Sequence, residues 1–256
     1  MSRAGAIDLN ADVGEGCGSD AELVPLVSSV NIACGAHAGD EASMLEALRL
    51  AVRHGVAIGA HPGFADREHF GRREQRVEPA EAAELVTGQT RILKALAGRL
   101  GAAVGHVKLH GALYSMAARD RALAAAIASA LAEDAQRSGS PWVLVALAGS
   151  VLATAGRARG LRVIEEGFAD RAYRRDGTLV PRSEPGAVIG DPGAASRQAL
   201  LIAREGAVVA QGGERVSVDA GTICIHGDGP GAADLARRIR RDLEAAGIAV
   251  RPASGR

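Results

Sequence analysis

The sequence predicts an α/β fold, a TIM-like barrel of seven or eight βα units. Short runs typical of strands alternate with amphipathic segments typical of helices along nearly the whole of the 256-residue chain, as in a parallel sheet with crossover helices. No composition shift or Pro/Ser-rich linker divides the chain, so residues 1–256 are interpreted as one domain. An open doubly wound sheet stays an alternative, because periodicity alone does not show that a sheet closes.

The elements follow from local patterns. Strands are predicted near residues 6–12, 30–36, 56–61, 104–110, 141–148, 161–166 and 221–227. Helices are predicted over residues 41–54, 79–100, 116–137 and 191–205. Gly55 and Gly101 are typical helix stops. Residues 168–190 lack a helical period, so we expect a β-hairpin insertion there and a further short β segment over 207–219.

Composition excludes several classes of function. Basic and acidic residues balance at 30 each, and aromatic residues make up 2% of the chain. A neutral chain without interleaved aromatic and basic residues is not typical of a nucleic-acid-binding protein. No apolar run predicts a membrane span or a signal peptide. The three cysteines are far apart and form no disulfide or metal motif, which indicates a cytoplasmic enzyme.

Polar and charged side chains follow six of the seven predicted strands. In parallel α/β barrels the chemistry lies at the carboxyl ends of the strands, so this clustering predicts an active site there. The residues concerned, in chain order, are Asp8, Asn10, Asp12, Glu15, His37, Asp40, His61, Asp66, Arg67, Arg72, Lys108, His110, Glu165, Glu166, Asp170, Arg171, Tyr173, His226 and Asp228.

Lys108 stands out within this set. It is one of two lysines among 30 basic residues, and it alternates with His106 and His110 in an apolar strand. Alternate residues of a strand share a face, and a buried lysine beside two histidines is costly without anionic partners. We therefore expect carboxylates from neighbouring strands to face Lys108, whose ammonium group can polarise a carbonyl or bind a phosphate.

Structural roles explain some of these residues equally well. Asp12 and Asp40 are placed where an aspartate caps a following helix, and His61 alone is no proof of a site. The segment 227–231 fits a plain turn or an anion-binding turn, and the charged residues 65–73 fit a solvated loop. His54 and His69 are interpreted as structural.

Motifs for nucleotide or metal binding are missing. The chain has no Walker phosphate loop, no G-x-G-x-x-G after a strand, no H-E-x-x-H and no G-x-S-x-G. The sequence therefore leaves open whether the chain binds a metal ion, and Asp12, His37 and His61 are the candidate ligands.

Seven ordered motifs resemble those of the LamB/YcsF family. They are IDLNADVGEG, NIACGAHAGD, GAHPGFADREHFGRR, VKLHGALY, GFADRAY, GTLVPR and ICIHGD, and they span roughly residues 6–230. The resemblance implies a distorted (β/α)7 barrel of the glycoside hydrolase/deacetylase type. It further implies the A subunit of a prokaryotic 5-oxoprolinase, which works with subunits B and C, uses ATP with Mg²⁺ as co-substrate, and opens the lactam 5-oxo-L-proline to L-glutamate.

This implied reaction suggests roles for the strand-end residues. Lys108 is assigned to the lactam or phosphate oxygen, and Asp12 or Glu15, helped by His37 or His61, to the activation of water. His110 or His226 would protonate the leaving nitrogen, and Arg67 or Arg182 would bind the substrate carboxylate. The remaining predicted substrate-binding residues are Asn10, Asp40, Tyr173 and Asp228. Since no phosphate loop is present, ATP is expected on the partner subunits.

Two other functions fit the same features. A free-standing metal-dependent deacetylase or amidohydrolase would act without ATP and would be inhibited by a chelator. A scaffold protein would assemble the complex without contributing chemistry, although the density of titratable groups at one barrel end favours an enzyme.

Overall fold

The computed structural model of the protein describes residues 5–226 and 231–253. Its strands are β1 (Ala6–Val13), β2 (Ser29–Ala33), β3 (Ala57–His61), β4 (His106–Lys108), β5 (Val143–Leu147), β6 (Arg162–Phe168), β7 (Ala207–Val209), β8 (Arg215–Ser217), β9 (Thr222–Ile225) and β10 (Ala249–Val250). Its α-helices are α1 (Asp20–Leu23), α2 (Glu41–His54), α3 (Pro79–Arg99), α4 (Gly111–Ala117), α5 (Arg121–Ser138), α6 (Val151–Ala158), α7 (Pro192–Glu205) and α8 (Ala232–Ala245).

Seven parallel strands close into a barrel. Strands β1 to β6 pair in sequence, β6 pairs with β9, and β9 pairs back with β1. The closed-barrel prediction is therefore confirmed, and the open sheet is wrong. Each predicted strand is present with small shifts in its ends; β2, for example, ends at Ala33 rather than near residue 36, because Gly35 has a positive φ that breaks the extended chain.

One helix prediction was wrong. The expected helix over 116–137 is two helices, α4 and α5, that meet at residues 118–120. Asp120 has an extended backbone, and its carboxylate accepts hydrogen bonds from the backbone N–H groups of Ala122 and Leu123, which starts a new helix. The new start turns α5 so that it packs against α3.

Several segments lie outside the barrel wall. Strands β7 and β8 form an antiparallel hairpin, and residues between β6 and α7 form two antiparallel bridges, Arg171 with Val188 and Tyr173 with Leu179. After α8 the chain returns to the amino ends of the barrel strands, where β10 pairs with β1 and Ala253 packs on Val143, Val145 and Ile164. The carboxyl ends of the strands are left open for a site.

The two faces of the barrel wall differ in character. On β1, Leu9, Ala11 and Val13 are fully buried and apolar, and they face the surrounding helices. The alternate residues face the barrel axis, where polar side chains from most strands meet in one hydrogen-bond network. Members of this interior network are Asp8, Asn10, Asp12, Ser29, Asn31, His61, His106, Lys108, Glu166 and Thr222.

Gly59 on β3 makes room for one member of this network. A Cβ at Gly59 would lie 2.1 Å from Nε2 of His106, so only glycine fits beneath that ring. His106 Nε2 is 2.9 Å from Oδ1 of Asn31. Burial, together with Lys108 and His61, lowers the pKa of His106 to about 3, so this histidine is neutral.

Within the described residues, none of the helices combines the length and apolar character needed to cross a membrane.

Candidate active site

A cavity of about 490 Å³ opens at the carboxyl ends of the barrel strands. Six of the seven predicted catalytic residues line it: Asp12, Glu15, His61, Lys108, His110 and His226. Its outer part is lined by arginines, among them Arg72, Arg119 and Arg182. The cavity thus combines buried titratable groups at its inner end with cations near its rim, a combination suited to a small anionic substrate.

Lys108 lies at the centre of the inner end. Its Nζ is 3.0 Å from Oδ1 of Asp12, 3.0 Å from Oε1 of Glu166, 3.2 Å from Oδ1 of Asn10 and 3.0 Å from Sγ of Cys224. Its side chain is 2% exposed. Burial alone would lower the pKa of Lys108, but the two carboxylates hold it well above its usual value.

Asp12 links the lysine to the histidines. Its Oδ1 accepts from Lys108 and from Nδ2 of Asn31, and its Oδ2 is 3.3 Å from Nε2 of His61. Burial would raise the pKa of Asp12, but His61 and Lys108 hold it well below its usual value. Asp12 is therefore a carboxylate at neutral pH, and its role is electrostatic rather than helix capping.

Glu166 is the second buried carboxylate. It is fully buried and accepts hydrogen bonds from Nδ2 of Asn10 at 3.0 Å and from the hydroxyl of Tyr114 at 2.7 Å. Its neighbour Glu165 points the other way and contacts Arg157 on the outer side of the strand. The alternation of a strand therefore selects which of the two glutamates enters the barrel.

Three histidines and Glu15 form a cluster beside Asp12. Nδ1 of His110 lies 3.0 Å from Nε2 of His61 and 3.4 Å from Oε1 of Glu15. Nε2 of His37 lies 3.3 Å from the same Glu15 oxygen, and the His37 ring stacks on the His110 ring with centroids 3.7 Å apart. Burial lowers the pKa values of His37 and His110, so both are neutral at pH 7.

His226 forms a separate pair on the opposite side of the cavity. Its Nδ1 is 2.9 Å from both carboxylate oxygens of Asp170, and its ring stacks on Phe168. Burial would raise the pKa of Asp170, but His226 lowers it below its usual value. Asp170 accepts from Nδ1, and Nε2 of His226 has no hydrogen-bond partner among the described residues, so it is placed to exchange a proton with a bound ligand.

The segment 65–73 keeps its charged residues Arg67, Glu68, His69 and Arg73 exposed, as expected for a solvated loop, but its other side packs on the histidine cluster. It contains a short 3₁₀ helix, Arg67–His69, followed by Phe70, whose carbonyl oxygen is 2.8 Å from Nε2 of His110. Gly71 has a φ of +64°, and a Cβ there would lie 2.9 Å from Cβ of His37. The glycine therefore lets this loop pack directly on the histidine cluster.

Some predicted site residues lie elsewhere. Asp40 is exposed and caps α2 by accepting from the backbone N–H of Ser43, so the helix-cap interpretation holds for it. Arg67 donates to the carbonyl oxygens of Gly35 and Gly39 and does not line the cavity. A charged side chain next to a strand does not reveal its direction, because that direction depends on how the following loop folds.

Two other predicted substrate-binding residues, Asn10 and Tyr173, are buried and do not line the cavity. Asn10 lies beneath the cavity in the interior network, and Tyr173 is buried, where its hydroxyl accepts from the backbone N–H of Phe168. Asp228, with the turn over 227–231 that was considered for anion binding, lies outside the described residues apart from Gly231. Arg182, by contrast, lines the cavity.

Sequence reasoning gave no role to four residues that shape the site. They are Glu166, Tyr114, Asp170 and Arg72. Asp170 carried a signal, because it lies two residues past the end of β6, whereas Glu166 lies next to Glu165 and alternation alone does not show which of the two faces the barrel. Tyr114 carried none, since its partner Glu166 lies 52 residues away in the chain.

Among the described residues, two groups of side chains have ligand atoms spaced closely enough to hold a metal ion. Glu15, His37 and His110 offer ligand atoms within 4.8 Å of one another, and so do Asp12, Cys224 and His226. The candidate set Asp12, His37 and His61 is thus divided: Asp12 and His61 are in contact, whereas His37 contacts Glu15.

The sequence matches the model of the LamB/YcsF family over residues 7–256. The chain belongs to the LamB/YcsF family. It is 48% identical over 250 residues to a protein of Heliobacterium modesticaldum that is named as the A subunit of 5-oxoprolinase, with 96% of this chain and 97% of that protein covered. The expected family resemblance is therefore confirmed over almost the full length of both chains.

Solved structures agree with this assignment. The lactam utilization protein from Thermus thermophilus is 48% identical, superimposes with a TM-score of 0.87, and is matched over 96% of this chain and 99% of that one. A more distant structure, the T48 deacetylase with substrate, has a TM-score of 0.51 at 14% identity over 96% of this chain and 87% of its own, and shows the shared fold alone. The LamB/YcsF chain thus has the deacetylase-type barrel that the sequence predicted.

Proposed function

We propose that this chain is the A subunit of a 5-oxoprolinase, a hydrolase of a cyclic amide. In the proposed reaction, 5-oxo-L-proline is opened to L-glutamate with hydrolysis of ATP, in a complex with subunits B and C. The relative named as the A subunit of 5-oxoprolinase supports the membership of such a complex. The observation that carries a catalytic role for this chain is the cavity in which Lys108, Asp12 and the histidines converge.

Coupling to ATP follows from the chemistry of the substrate. An unstrained five-membered lactam resists water because its amide carbonyl is a poor electrophile. Transfer of the γ-phosphoryl group from ATP to the amide oxygen releases ADP and gives an imidate, whose carbon a water molecule can attack. The ring C–N bond then breaks as the nitrogen takes up a proton, and hydrolysis of the resulting acyl phosphate gives inorganic phosphate and L-glutamate. This route needs a cation near the oxygen, a group that orients and deprotonates water, an acid for the ring nitrogen and a cation for the carboxylate.

The contacts in the cavity favour particular residues for these roles. Lys108 is the cation at the inner end of the cavity, and it keeps Asp12 ionised beside His61. We assign water activation to Asp12 with His61, because both line the cavity and contact each other, with Glu15 on the far side of the histidine pair. We propose that the assembled complex uses ATP with Mg²⁺ and that the partner subunits bind the ATP.

The acid and the carboxylate-binding residue also follow from contacts. Both ring nitrogens of His110 are in contact, one with Phe70 O and one with His61, whereas among the described residues His226 makes a hydrogen bond only through Nδ1, to Asp170. His226 is therefore the better proton donor to the ring nitrogen. Arg182 lines the cavity and Arg67 does not, so Arg182 is assigned to the substrate carboxylate.

The experiment is glutamate release from 5-oxo-L-proline with ATP, for this chain alone and mixed with its B and C partners. Glutamate that appears only in the mixture supports the proposed place in the complex. Release by this chain alone would contradict the placement of ATP on the partners. If a demonstrably assembled complex releases no glutamate, the proposal is wrong. Amide hydrolysis that needs no ATP and is abolished by a chelator would instead identify the chain as a metal-dependent amidohydrolase.

A further inference from the structure

Arg171 is a buried arginine to which the roles above assign no function. It is 7% exposed and lines the cavity, as Arg182 does. Its Nε donates to the carbonyl oxygen of Ala187 at 3.2 Å, and its Nη2 donates to the carbonyl oxygen of Val180 at 2.6 Å. Among the residues that the structure describes, the guanidinium forms no ion pair with a carboxylate. Neutral carbonyl groups satisfy N–H groups but do not neutralise a charge, and a buried charge is usually paired.

Asp170, the carboxylate next to Arg171 in the chain, is engaged elsewhere. Both of its oxygens are 2.9 Å from Nδ1 of His226. Burial, and after it the neighbouring Arg182, lowers the pKa of Arg171 to about 10, and Asp170 offsets only part of this. Arg171 remains a cation at neutral pH, and an anion bound in the cavity would supply the charge that the described residues do not.

Arg171 also anchors the loop that carries Arg182. Its two carbonyl partners, on Val180 and Ala187, lie at the two ends of segment 180–187, and this segment contains Arg182. The anchoring role uses only part of the guanidinium, which has five N–H groups, so further N–H groups are available to a ligand in the cavity. Arg171 and Arg182 are thus held close to each other in the wall of the cavity.

The proposed reaction puts two anionic groups on the substrate at the stage of ring opening. The carboxylate is attached to the carbon on one side of the ring nitrogen, and the phosphorylated oxygen to the carbon on the other side. Because the acyl phosphate is hydrolysed only after the ring C–N bond breaks, the phosphoryl group is still attached when water adds. A site for this step therefore needs two cations near each other, one for each anion.

We propose that Arg171 binds the phosphoryl group of the phosphorylated lactam, while Arg182 binds the carboxylate of the same molecule. The planar guanidinium group can donate to two oxygens of a phosphoryl group at once, which a lysine ammonium group cannot do with the same geometry. Lys108, at the inner end of the cavity, keeps its assignment to the oxygen that accepts the phosphoryl group. The identity of this ligand rests on the function proposed above, whereas binding of phosphate to the isolated chain is measured without it.

The position of His226 agrees with this arrangement. The ring nitrogen lies between the two carbons that bear the anionic groups, so its proton donor is expected near both arginines. His226 is held by Asp170, the residue that precedes Arg171. Burial opposes ionisation of Asp170, but His226 and then Arg182 lower its pKa, so Arg182 lies close to the same pair.

The test is calorimetric titration of the isolated chain with inorganic phosphate at about pH 8, where phosphate carries two charges, and at constant ionic strength. We expect one phosphate per chain, bound at least about 10-fold more tightly than acetate, and at least about 10-fold weaker binding in Arg171→Met. The affinity for 5-oxo-L-proline, which uses Arg182, should change less than about threefold in this variant. Arg53→Met, on the exposed side of α2, is the matched control and should bind phosphate as wild type does.

Wild-type crystals soaked in tungstate, a tetrahedral dianion with anomalous scattering, locate the site even if Arg171→Met does not fold. We expect a peak within hydrogen-bond distance of the Arg171 guanidinium, and a peak elsewhere in the cavity would overturn the proposal. So would a folded wild-type chain that binds no phosphate. An equal loss of affinity for phosphate and 5-oxo-L-proline in Arg171→Met would show that Arg171 only anchors the loop. ATP that binds the isolated chain more tightly than phosphate through Arg171 would overturn the phosphorylated lactam as the ligand.

Glutamate release by the assembled complex tests the proposed function separately. Release together with no phosphate binding by the isolated chain would overturn the role of Arg171 alone. Phosphate binding that depends on Arg171, without glutamate release from an assembled complex, would overturn the proposed function and, with it, the phosphorylated lactam as the ligand. Phosphate binding through Arg171 together with glutamate release is the result that we expect.

Discussion

Nζ of Lys108 lies 3.0 Å from Oδ1 of Asp12, and each of these buried groups fixes the charge of the other. The carboxylate raises the pKa of the lysine, and the lysine helps to lower the pKa of the aspartate. Removal of one partner would leave an uncompensated buried charge, which typically costs about 3–5 kcal/mol. Substitution of either residue is therefore expected to affect both the free energy of unfolding and the activity, so each activity measurement on such a variant needs a parallel measurement of stability.

Arg182→Ala tests the assignment of the substrate carboxylate. We expect KM for 5-oxo-L-proline to rise roughly 10- to 100-fold with a smaller change in kcat, because a charge-assisted hydrogen bond to a carboxylate contributes about 1.5–3 kcal/mol. The measurement is steady-state kinetics of the assembled complex. Arg53→Ala, on the exposed side of α2, is the control; an unchanged KM in Arg182→Ala would refute the assignment.

Tyr114→Phe removes a hydrogen-bond donor from the buried carboxylate of Glu166. The hydroxyl lies 2.7 Å from Oε2 of a residue without solvent contact, so we expect the free energy of unfolding to fall by about 1.5–3 kcal/mol. Urea unfolding of the isolated chain measures this change. A loss under about 0.5 kcal/mol (roughly a third of the lower bound) would show that Glu166 does not depend on this donor.

We expect Asp134 to make a pH-dependent contribution to the stability of the chain. It accepts from Nε1 of Trp142 at 3.0 Å and pairs with Arg91 at 2.8 Å; burial opposes its ionisation, but these partners lower its pKa below the usual value. Because the pKa of Asp134 is lower in the folded than in the unfolded chain, its carboxylate stabilises the fold at pH values above the unfolded-state pKa of about 3.9. This stabilisation is lost as the pH falls through the folded-state pKa.

Asp134→Asn should therefore destabilise the chain by about 1–2 kcal/mol at pH 7, and the difference from wild type should shrink below about pH 4. Urea unfolding of both proteins at several pH values measures it. Glu133→Gln, one residue away on the exposed side of α5, should show no such trend. A difference that stays constant down to about pH 3 would contradict the argument.

Gly59→Ala tests the packing beneath the site. Its Cβ would overlap the ring of His106 at 2.1 Å, so we expect a loss of more than about 3 kcal/mol or failure to fold. Gly88→Ala is the matched control, and we expect it to raise the free energy of unfolding rather than lower it. Outside its own helix backbone and chain neighbours, no atom lies within 4 Å of its Cβ position in α3, and alanine is favoured over glycine in a helix by about 0.5–1 kcal/mol. Thermal melting of the two variants compares them, and a stable Gly59→Ala protein would contradict the packing described here.

The alternation of strand residues made much of this site predictable. Period two placed Lys108 and His106 on the interior face, and the cost of burying a lysine required the carboxylates that the structure supplies. The same rule failed for Glu166, because strand β6 carries two adjacent glutamates and only its register shows which one points inward.

Loop residues were less predictable. Asp40 and Arg67 follow strands as closely as the true cavity residues do, yet one caps a helix and the other binds backbone carbonyls. Their directions are set by the fold of each loop, in particular by glycines with positive φ such as Gly39 and Gly71, and not by strand periodicity. The break between α4 and α5 was missed for a similar reason, since Asp120 is a local cap within a continuous apolar pattern.

The most direct test of the account is the rate of glutamate release by the assembled complex that carries Lys108→Ala. The chain has one other lysine, Lys94, which lies over Trp142 away from the site and provides the matched control Lys94→Ala. We predict a loss of at least about 100-fold in kcat for Lys108→Ala in a complex that still assembles, and a rate near wild type for Lys94→Ala. A rate within about twofold of wild type for assembled Lys108→Ala would contradict the claim that this cavity carries out the chemistry.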